Sequence, residues 1–369
     1  MKDQKGSEKD SDKSSKLVNG SQSEDSQSED KKMQNTGDLL GSLTTEQQNS
    51  NSWNIDRIDT LDILKVMNAE DKKVAYSVEK SLEDVARAVD QIVPRMKTGG
   101  RLLYFGAGTS GRLAILDAAE CPPTFGTDPQ LVQGFMAGGQ NAFHIAQEDI
   151  EDRKEEGIRE AQRQEITGRD TVVGLSASGQ AAYIIGVLEE AGRHGALTIS
   201  ITCNEHSVLD RAVDISINTV VGPEILMGST RLKAGTAQKM ILNMISTAVM
   251  VKLGKVYKNL MVDLNPKNKK LIERAKRIIM LATGVSYREA EDYLDQSHRS
   301  PKTAIVMIET GSDYEAACKW LKEEDGFIVK AVEHAHKAHE HKEHEHKEHE
   351  DKEHGHKENE HKEHEHKSN

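Results

Sequence analysis

Residues 101–123 read R-L-L-Y-F-G-A-G-T-S-G-R-L-A-I-L-D-A-A-E-C-P-P, and this stretch limits the possible folds more than any other. Leu102, Leu103, Tyr104 and Phe105 form a short apolar run between glycines, the pattern of a strand buried on both faces. Gly106, Gly108 and Gly111 then permit a tight turn, and Ser110 is placed to cap a helix running through Leu113, Ile115 and Leu116. A glycine-rich turn that opens a helix presents free backbone N–H groups at the positive end of the helix dipole, where a phosphate can sit. Cys121-Pro122-Pro123 is expected to stop the helix at Glu120. On pattern alone the turn fits a phosphosugar site, a dinucleotide site or a plain tight turn. Asp128, the acidic residue in range for a dinucleotide ribose, sits in a Pro-flanked turn.

The same design recurs at Asp170-Thr171-Val172-Val173-Gly174-Leu175-Ser176-Ala177-Ser178-Gly179, followed by a helical pattern carrying Ile184, Ile185, Val187 and Leu188. Further strands are expected at 131–136, 197–202 and 214–220. Amphipathic helices precede the first strand, with Ile63, Val66, Val74, Val78, Leu82, Val85 and Val89 at helical spacing. A charged helical region spans about 141–162 and carries Glu148, Glu151 and Asp152. Strands alternating with helices imply an α/β three-layer sandwich with a mainly parallel sheet, and the two hydroxyl-rich loops put its site at the carboxyl ends of the strands. Residues 222–239 open another long helix. Glu224, Ser229, Thr230, Arg231 and Lys233 cluster at its start, where a capped helix end with solvated charges is the plain reading. From 268 to about 330 the pattern is a small helical module with Leu281, Ala290 and Leu294 inside it.

Neither end of the chain reads as domain material. Residues 1–50 are a polar Ser-, Asp- and Lys-rich head expected to be disordered. From His334 a five-residue repeat begins, matching neither helix nor strand, so residues 333–369 are also expected to be disordered. Most of the sixteen histidines lie in this tail. His334, His336, His339, His341 and the later ones are either weak sites for zinc, nickel or copper or part of a solubilising tail. A net charge of -12 argues against nucleic acid or an anionic membrane as partner. Three scattered cysteines, no apolar run long enough to span a bilayer and no signal-peptide pattern point to a cytoplasmic protein.

With these motifs in place a resemblance becomes specific. G-A-G-T-S-G-R-L-x-x-L-D-A-x-E-C-P-P-T, the loop around Ser176 and Ser178, G-P-E-x-x-x-G-S-T-R-L-K-A-G-T-A-Q-K and N-L-M-V-D (259–263) are similar to the N-acetylmuramic acid 6-phosphate etherases of the sugar isomerase (SIS) phosphosugar-binding fold. The similarity runs from about Ile55 to Val329. It implies a catalytic domain over 51–266 and a UBA-like helical module over 267–332. The implied reaction cleaves the D-lactyl ether of N-acetylmuramate 6-phosphate by elimination and then hydration, with no metal or redox cofactor. By position the resemblance makes Glu120 the acid for the departing oxygen and Glu151 the base or its partner, one protonated while the other is ionised. Taken by themselves, Glu120 reads as a helix-end carboxylate and Glu151 as part of a solvated helix face. Glu148 is the nearest rival for the role of Glu151.

The resemblance places the phosphate on Ser176, Ser178 and Gly179 with hydroxyls near Ser229. Gly108, Thr109 and Ser110 join the substrate site, the two hydroxyl residues binding the sugar or sharing the phosphate; Glu224 joins it too, and Arg112 and Lys233 are available as added charge. Two segments depart from the family pattern. Ser178-Gly179-Gln180-Ala181-Ala182 stands where S-G-R-T-P is usual, and Asn204-Glu205-His206 stands where N-P-G is usual. A cation and a hydroxyl are therefore missing near the expected phosphate. The alternatives are a non-catalytic sugar-phosphate sensor, an aldose–ketose isomerase and, further behind, a dehydrogenase. A homodimer with sites near the subunit boundary is expected from the same resemblance.

Overall fold

A computed structural model describes residues 41, 43–145 and 147–340. The expected disorder of residues 1–40 and 341–369, and the metal sites proposed from His341 onward, lie outside the described residues. Strands β1 (Leu102–Gly106), β2 (Val132–Met136), β3 (Thr171–Leu175), β4 (Leu197–Thr202) and β5 (Ile215–Asn218) form one parallel sheet in the order β2-β1-β3-β4-β5. Strand β1 faces β3 with Leu102 opposite Thr171 and Gly106 opposite Leu175, so both strands end level.

Alternation along the strands divides the core in two. Leu102 and Tyr104 of β1 bury into a cluster with helices α1 (Thr60–Glu79), α2 (Leu82–Lys97), α3 (Gly108–Phe125) and α7 (Lys233–Lys252). Leu103 and Phe105 bury into the opposite cluster with α5 (Lys154–Arg163) and α6 (Ala182–Arg193). A short helix, α4 (Gly139–His144), follows β2. This is the expected three-layer sandwich. Helices α8 (Lys269–Thr283), α9 (Tyr287–Gln296), α10 (Pro301–Thr310), α11 (Tyr314–Glu323) and α12 (328–340) gather around a core of their own that includes Ala290 and Leu294. Leu281, expected inside it, is exposed. Among the described residues no helix is long and apolar enough to cross a membrane.

Several local expectations are corrected. Helix α3 does not stop at Glu120 but runs through Pro122 and Pro123 to Phe125. Both prolines fall in its last turn, and the helix closes at Gly126 (φ 62°), whose N–H donates to Pro122 O at 2.9 Å. Ser110 does not cap it; Ala107 occupies that position, and Ser110 Oγ donates to Gln238 Oε1 at 2.8 Å. The region 141–162 is broken into α4, a 3-10 turn at Glu148–Ile150 and α5. The helix opened by 222–239 begins only at Lys233.

Both supposedly disordered ends also reach further into the structure than their composition suggests. Residues 43–52 pack against the body, with Leu43, Thr45, Asn49 and Ser52 buried. Residues 333–340, which include His334, His336 and His339, continue α12 as a helix. Ile328, Ala331 and Ala335 share one buried face there, which extends the helix past the start of the repeat.

Candidate active site

The strand order reverses between β1 and β3, so the loops leaving these neighbours diverge and open a crevice at the carboxyl edge of the sheet. In open α/β sheets ligands bind at such a switch point. The first wall is the turn from β1 into α3. A β-carbon on Gly106 would lie 2.4 Å from Gly111 N, so only glycine allows this tight approach of strand end to helix start. Gly108 has φ 52°, and a β-carbon there would meet nothing within 4 Å, leaving open space above the first helical turn. The leading N–H groups of α3 have no acceptor within the helix and face that edge. Thr109 is half-buried beside them. Ser110 is turned inward as a brace to α7, where Gln238 Nε2 is buried without a hydrogen-bond partner among the described residues.

The second wall is the turn from β3 into α6. Gly179 N donates to Ser176 Oγ at 3.1 Å and Gln180 N to Ser178 Oγ at 3.2 Å, and the two hydroxyl oxygens lie 3.4 Å apart. Gly179 takes φ 71° and packs against Ser207; a β-carbon on it would come within 2.3 Å of Ser207 Cβ. Small residues thus produce a compact cradle of hydroxyls and backbone donors. Glu151 lies beside this wall. Its carbonyl accepts from Tyr183 N, in the first turn of α6, at 2.9 Å, and it sits in a turn rather than on the helix face expected of it.

The third wall is the segment leading into α7. Ser229 and Thr230 form a half-buried turn, and a β-carbon on Gly235 would stand 3.4 Å from Thr109 Cγ2, so α7 begins against the first wall. Glu224 and Lys233, expected as solvated charges or substrate contacts, are instead deeply buried. Glu224 receives Lys233 N at 3.0 Å and Ala234 N at 2.9 Å, capping α7 from a distance. Burial pushes its carboxyl up, against the pull of those two N–H groups. Lys233 Nζ donates to Glu70 Oε2 at 2.8 Å and Val221 O at 3.0 Å, so its charge is spent on α1. Burial would raise the Glu70 carboxyl, but hydrogen bonds from Lys233, Lys73, Asn51 and Asn49 outweigh it and bring it down to about 2. Arg112 is also engaged, donating to the Phe143 and Ala142 carbonyls at the end of α4.

Glu120 stands apart from these walls. It is exposed on α3, twelve residues past Gly108, which is ~18 Å along the helix at 1.5 Å per residue. One chain therefore gathers Glu151, Thr109 and the Ser176–Gly179 turn at one edge and leaves Glu120 toward the other. Gln238, Glu70 and Thr45 go unnoticed in the sequence, and Asn204 is noticed only as part of a departing segment, because their roles depend on partners 128 to 163 residues away. The buried Glu70–Lys233 pair carries no local signal at all. Among the described residues no cluster of three or more His, Cys, Asp or Glu is placed to hold a metal, His334, His336 and His339 included.

Comparison with known proteins bears on this geometry. The family model described as the glucokinase regulatory protein N-terminal SIS domain matches residues 84–192, and the SIS domain model matches 151–248. The chain is 53% identical over 294 residues to the N-acetylmuramic acid 6-phosphate etherase of Caldanaerobacter subterraneus subsp. tengcongensis, covering 80% of this chain and 96% of that protein. It is 52% identical over 297 residues to the enzyme of the same name from Bacillus subtilis, covering 80% and 98%. Among solved structures, the phosphoheptose isomerase GmhA from Neisseria gonorrhoeae aligns at 17% identity, covering 52% of this chain and 98% of that one, with a TM-score of 0.42.

Proposed function

The chain belongs to the N-acetylmuramic acid 6-phosphate etherase family, within the SIS phosphosugar-binding superfamily, and from that premise we propose how its residues divide the work. It is a carbon–oxygen lyase that releases D-lactate from N-acetylmuramate 6-phosphate and leaves N-acetylglucosamine 6-phosphate. The observation that carries this activity is identity above 50% across nearly the whole length of etherase relatives.

The chemistry requires an open-chain sugar whose C1 aldehyde acidifies the C2 proton. Glu151 takes that proton, the C3–oxygen bond breaks, and Glu120 protonates the departing lactyl oxygen. Water then adds at C3 of the unsaturated aldehyde, with the two carboxyl groups exchanging roles. The phosphate anchors the chain against the Ser176, Ser178 and Gly179 turn, and hydroxyls near Ser229 lie within the same crevice. Gly108 and Thr109 face the sugar. Ser110, Glu224 and Lys233 support the site from behind, by their bonds to Gln238, the α7 start and Glu70. The reaction needs the two carboxyl groups at adjacent carbons, so the site must hold the sugar at a fixed distance from both.

The position of Glu120 supports a homodimer in which this residue serves the partner's crevice. Helices α2 and α7 leave an apolar groove of about 840 Å³ lined by Leu82, Val85, Val89, Met240, Met244 and Ala248. Asn243, also on its lining, donates to Asp117 Oδ1 at 2.6 Å, one turn before Glu120 on α3. We propose that a second copy seats on this groove and takes up Glu120 from the neighbouring helix. Residues 43–266 form the catalytic unit in this reading and 267–340 a separate helical module. The His-x-His pairs of the tail are proposed as weak transition-metal ligands, tested by loss of nickel binding on removal of residues 341–369.

The assay is D-lactate release from N-acetylmuramate 6-phosphate with EDTA present. Steady turnover is the expected result. Saturable binding of the sugar phosphate without lactate release would replace the enzyme by a sensor on the same fold.

A further inference from the structure

The segment 43–52 is a strap held by polar contacts to the loops of the crevice. Thr44 N donates to Asn204 Oδ1 at 2.7 Å. Asn204 Nδ2 donates in turn to Ala177 O at 3.0 Å and Thr45 Oγ1 at 3.2 Å. On the other side Gly228 N donates to Thr45 O at 3.2 Å. Ser52 Oγ and Asn49 Nδ2 add bonds to Ile225 O and Pro223 O. Thr45 is wholly buried and Asn204 is 2% exposed, so neither has water as a substitute partner.

The two ends of this latch are informative. Ala177 lies between Ser176 and Ser178 in the second wall, and Gly228 directly precedes Ser229 and Thr230 in the third. We propose that Thr45 and Asn204 are positioning residues for the phosphosugar, fixing the spacing between the Ser176–Gly179 turn and the Gly228–Thr230 turn. Neither touches substrate. The inference rests on the reading that the phosphate occupies the Ser176–Gly179 turn. A cradle of donors binds a phosphate only when its members are held close to the productive geometry, and the main-chain link from Cys203 N to Ala177 O anchors one side alone.

The test uses the full chain and two constants: KM for N-acetylmuramate 6-phosphate and the inhibition constant of inorganic phosphate. Thr45→Val removes one buried hydroxyl and should raise both about five-fold, as expected for one lost hydrogen bond, with kcat nearly unchanged. Thr45→Ser should restore both. Should Thr45→Val fold poorly, Thr44→Pro removes the N–H donated to Asn204 while leaving Thr45 in place, at a first helical position that accepts proline, and is expected to shift the same constants. A folded variant of either kind that lowers Tm while leaving both constants unchanged overturns the proposal. Ser178→Ala, run in parallel, separates the two levels. If it impairs binding while the strap variants do not, the latch alone is wrong. If phosphate inhibition also survives Ser178→Ala, the phosphate reading falls and the latch with it.

Discussion

At the scale of single residues, the two glutamates proposed as acid and base differ in surroundings. Glu120 stands exposed on α3, and Glu151 is half-buried in a turn against α6. Glu120→Gln and Glu151→Gln are each expected to lower kcat by roughly 100-fold or more, the usual range for losing a general acid or base, with circular dichroism unchanged. Near-full activity in either would remove that residue from the mechanism. The cysteines offer a second check. Cys121 and Cys203 are buried, and burial pushes each thiol up to about 12, so neither forms thiolate near neutral pH. Cys318 is the partly accessible one. Alkylation of the native protein at pH 8, read by mass spectrometry, should label Cys318 first and reach the other two only on unfolding. Early labelling of Cys121, next to Glu120, would mean that α3 opens locally.

At the scale of elements, α1 and α7 are joined through the buried Glu70–Lys233 pair, with Glu224 capping the second. Because the folded Glu70 carboxyl titrates near 2 rather than at its ordinary 4.5, its stabilisation is complete above about pH 4.5 and is lost as pH falls through about 2. Urea denaturation followed from pH 6 to pH 3 should show a decline that Glu70→Gln flattens, from a lower starting stability; equal slopes would contradict it. Elements of this kind differ in how far a sequence reveals them. The strands are legible because Leu102–Phe105 and Thr171–Leu175 are buried on both faces, and short runs with so few polar residues have few other uses. The end of α3 is not, because Pro122 and Pro123 obstruct a helix interior but are accommodated in a last turn. The strap is invisible for another reason: its anchors are hydrogen bonds rather than apolar contacts, so its composition is that of a disordered segment. In the same way the hydroxyl-rich turns are legible as loops at the carboxyl edge of the sheet, whereas nothing local told a solvated Lys233 from a buried one.

At the scale of the whole molecule, a single chain keeps Glu120 ~18 Å along α3 from the turn that starts it. The expected remedy is a second copy, and it has a direct test. Glu120→Gln and Glu151→Gln, each inactive alone, should regain about a quarter of wild-type activity when unfolded together and refolded as mixed dimers, since half the dimers then carry one complete site. No recovery, with mixed dimers present, would return both carboxylates to one chain. The strap adds a consequence in time. Its partners at Asn204, Pro223 and Ile225 lie 160 to 174 residues downstream. A ribosome adding about 5–20 residues per second needs ~10–30 s to cover that stretch. The segment that leaves the exit tunnel ahead of the sheet therefore waits for the last of its anchors until β5 has been made. Until then the first segment lacks those partners, and a ribosome stalled before residue 204 would hold β1 to β4 at most, without β5 and without the residues that clasp that segment.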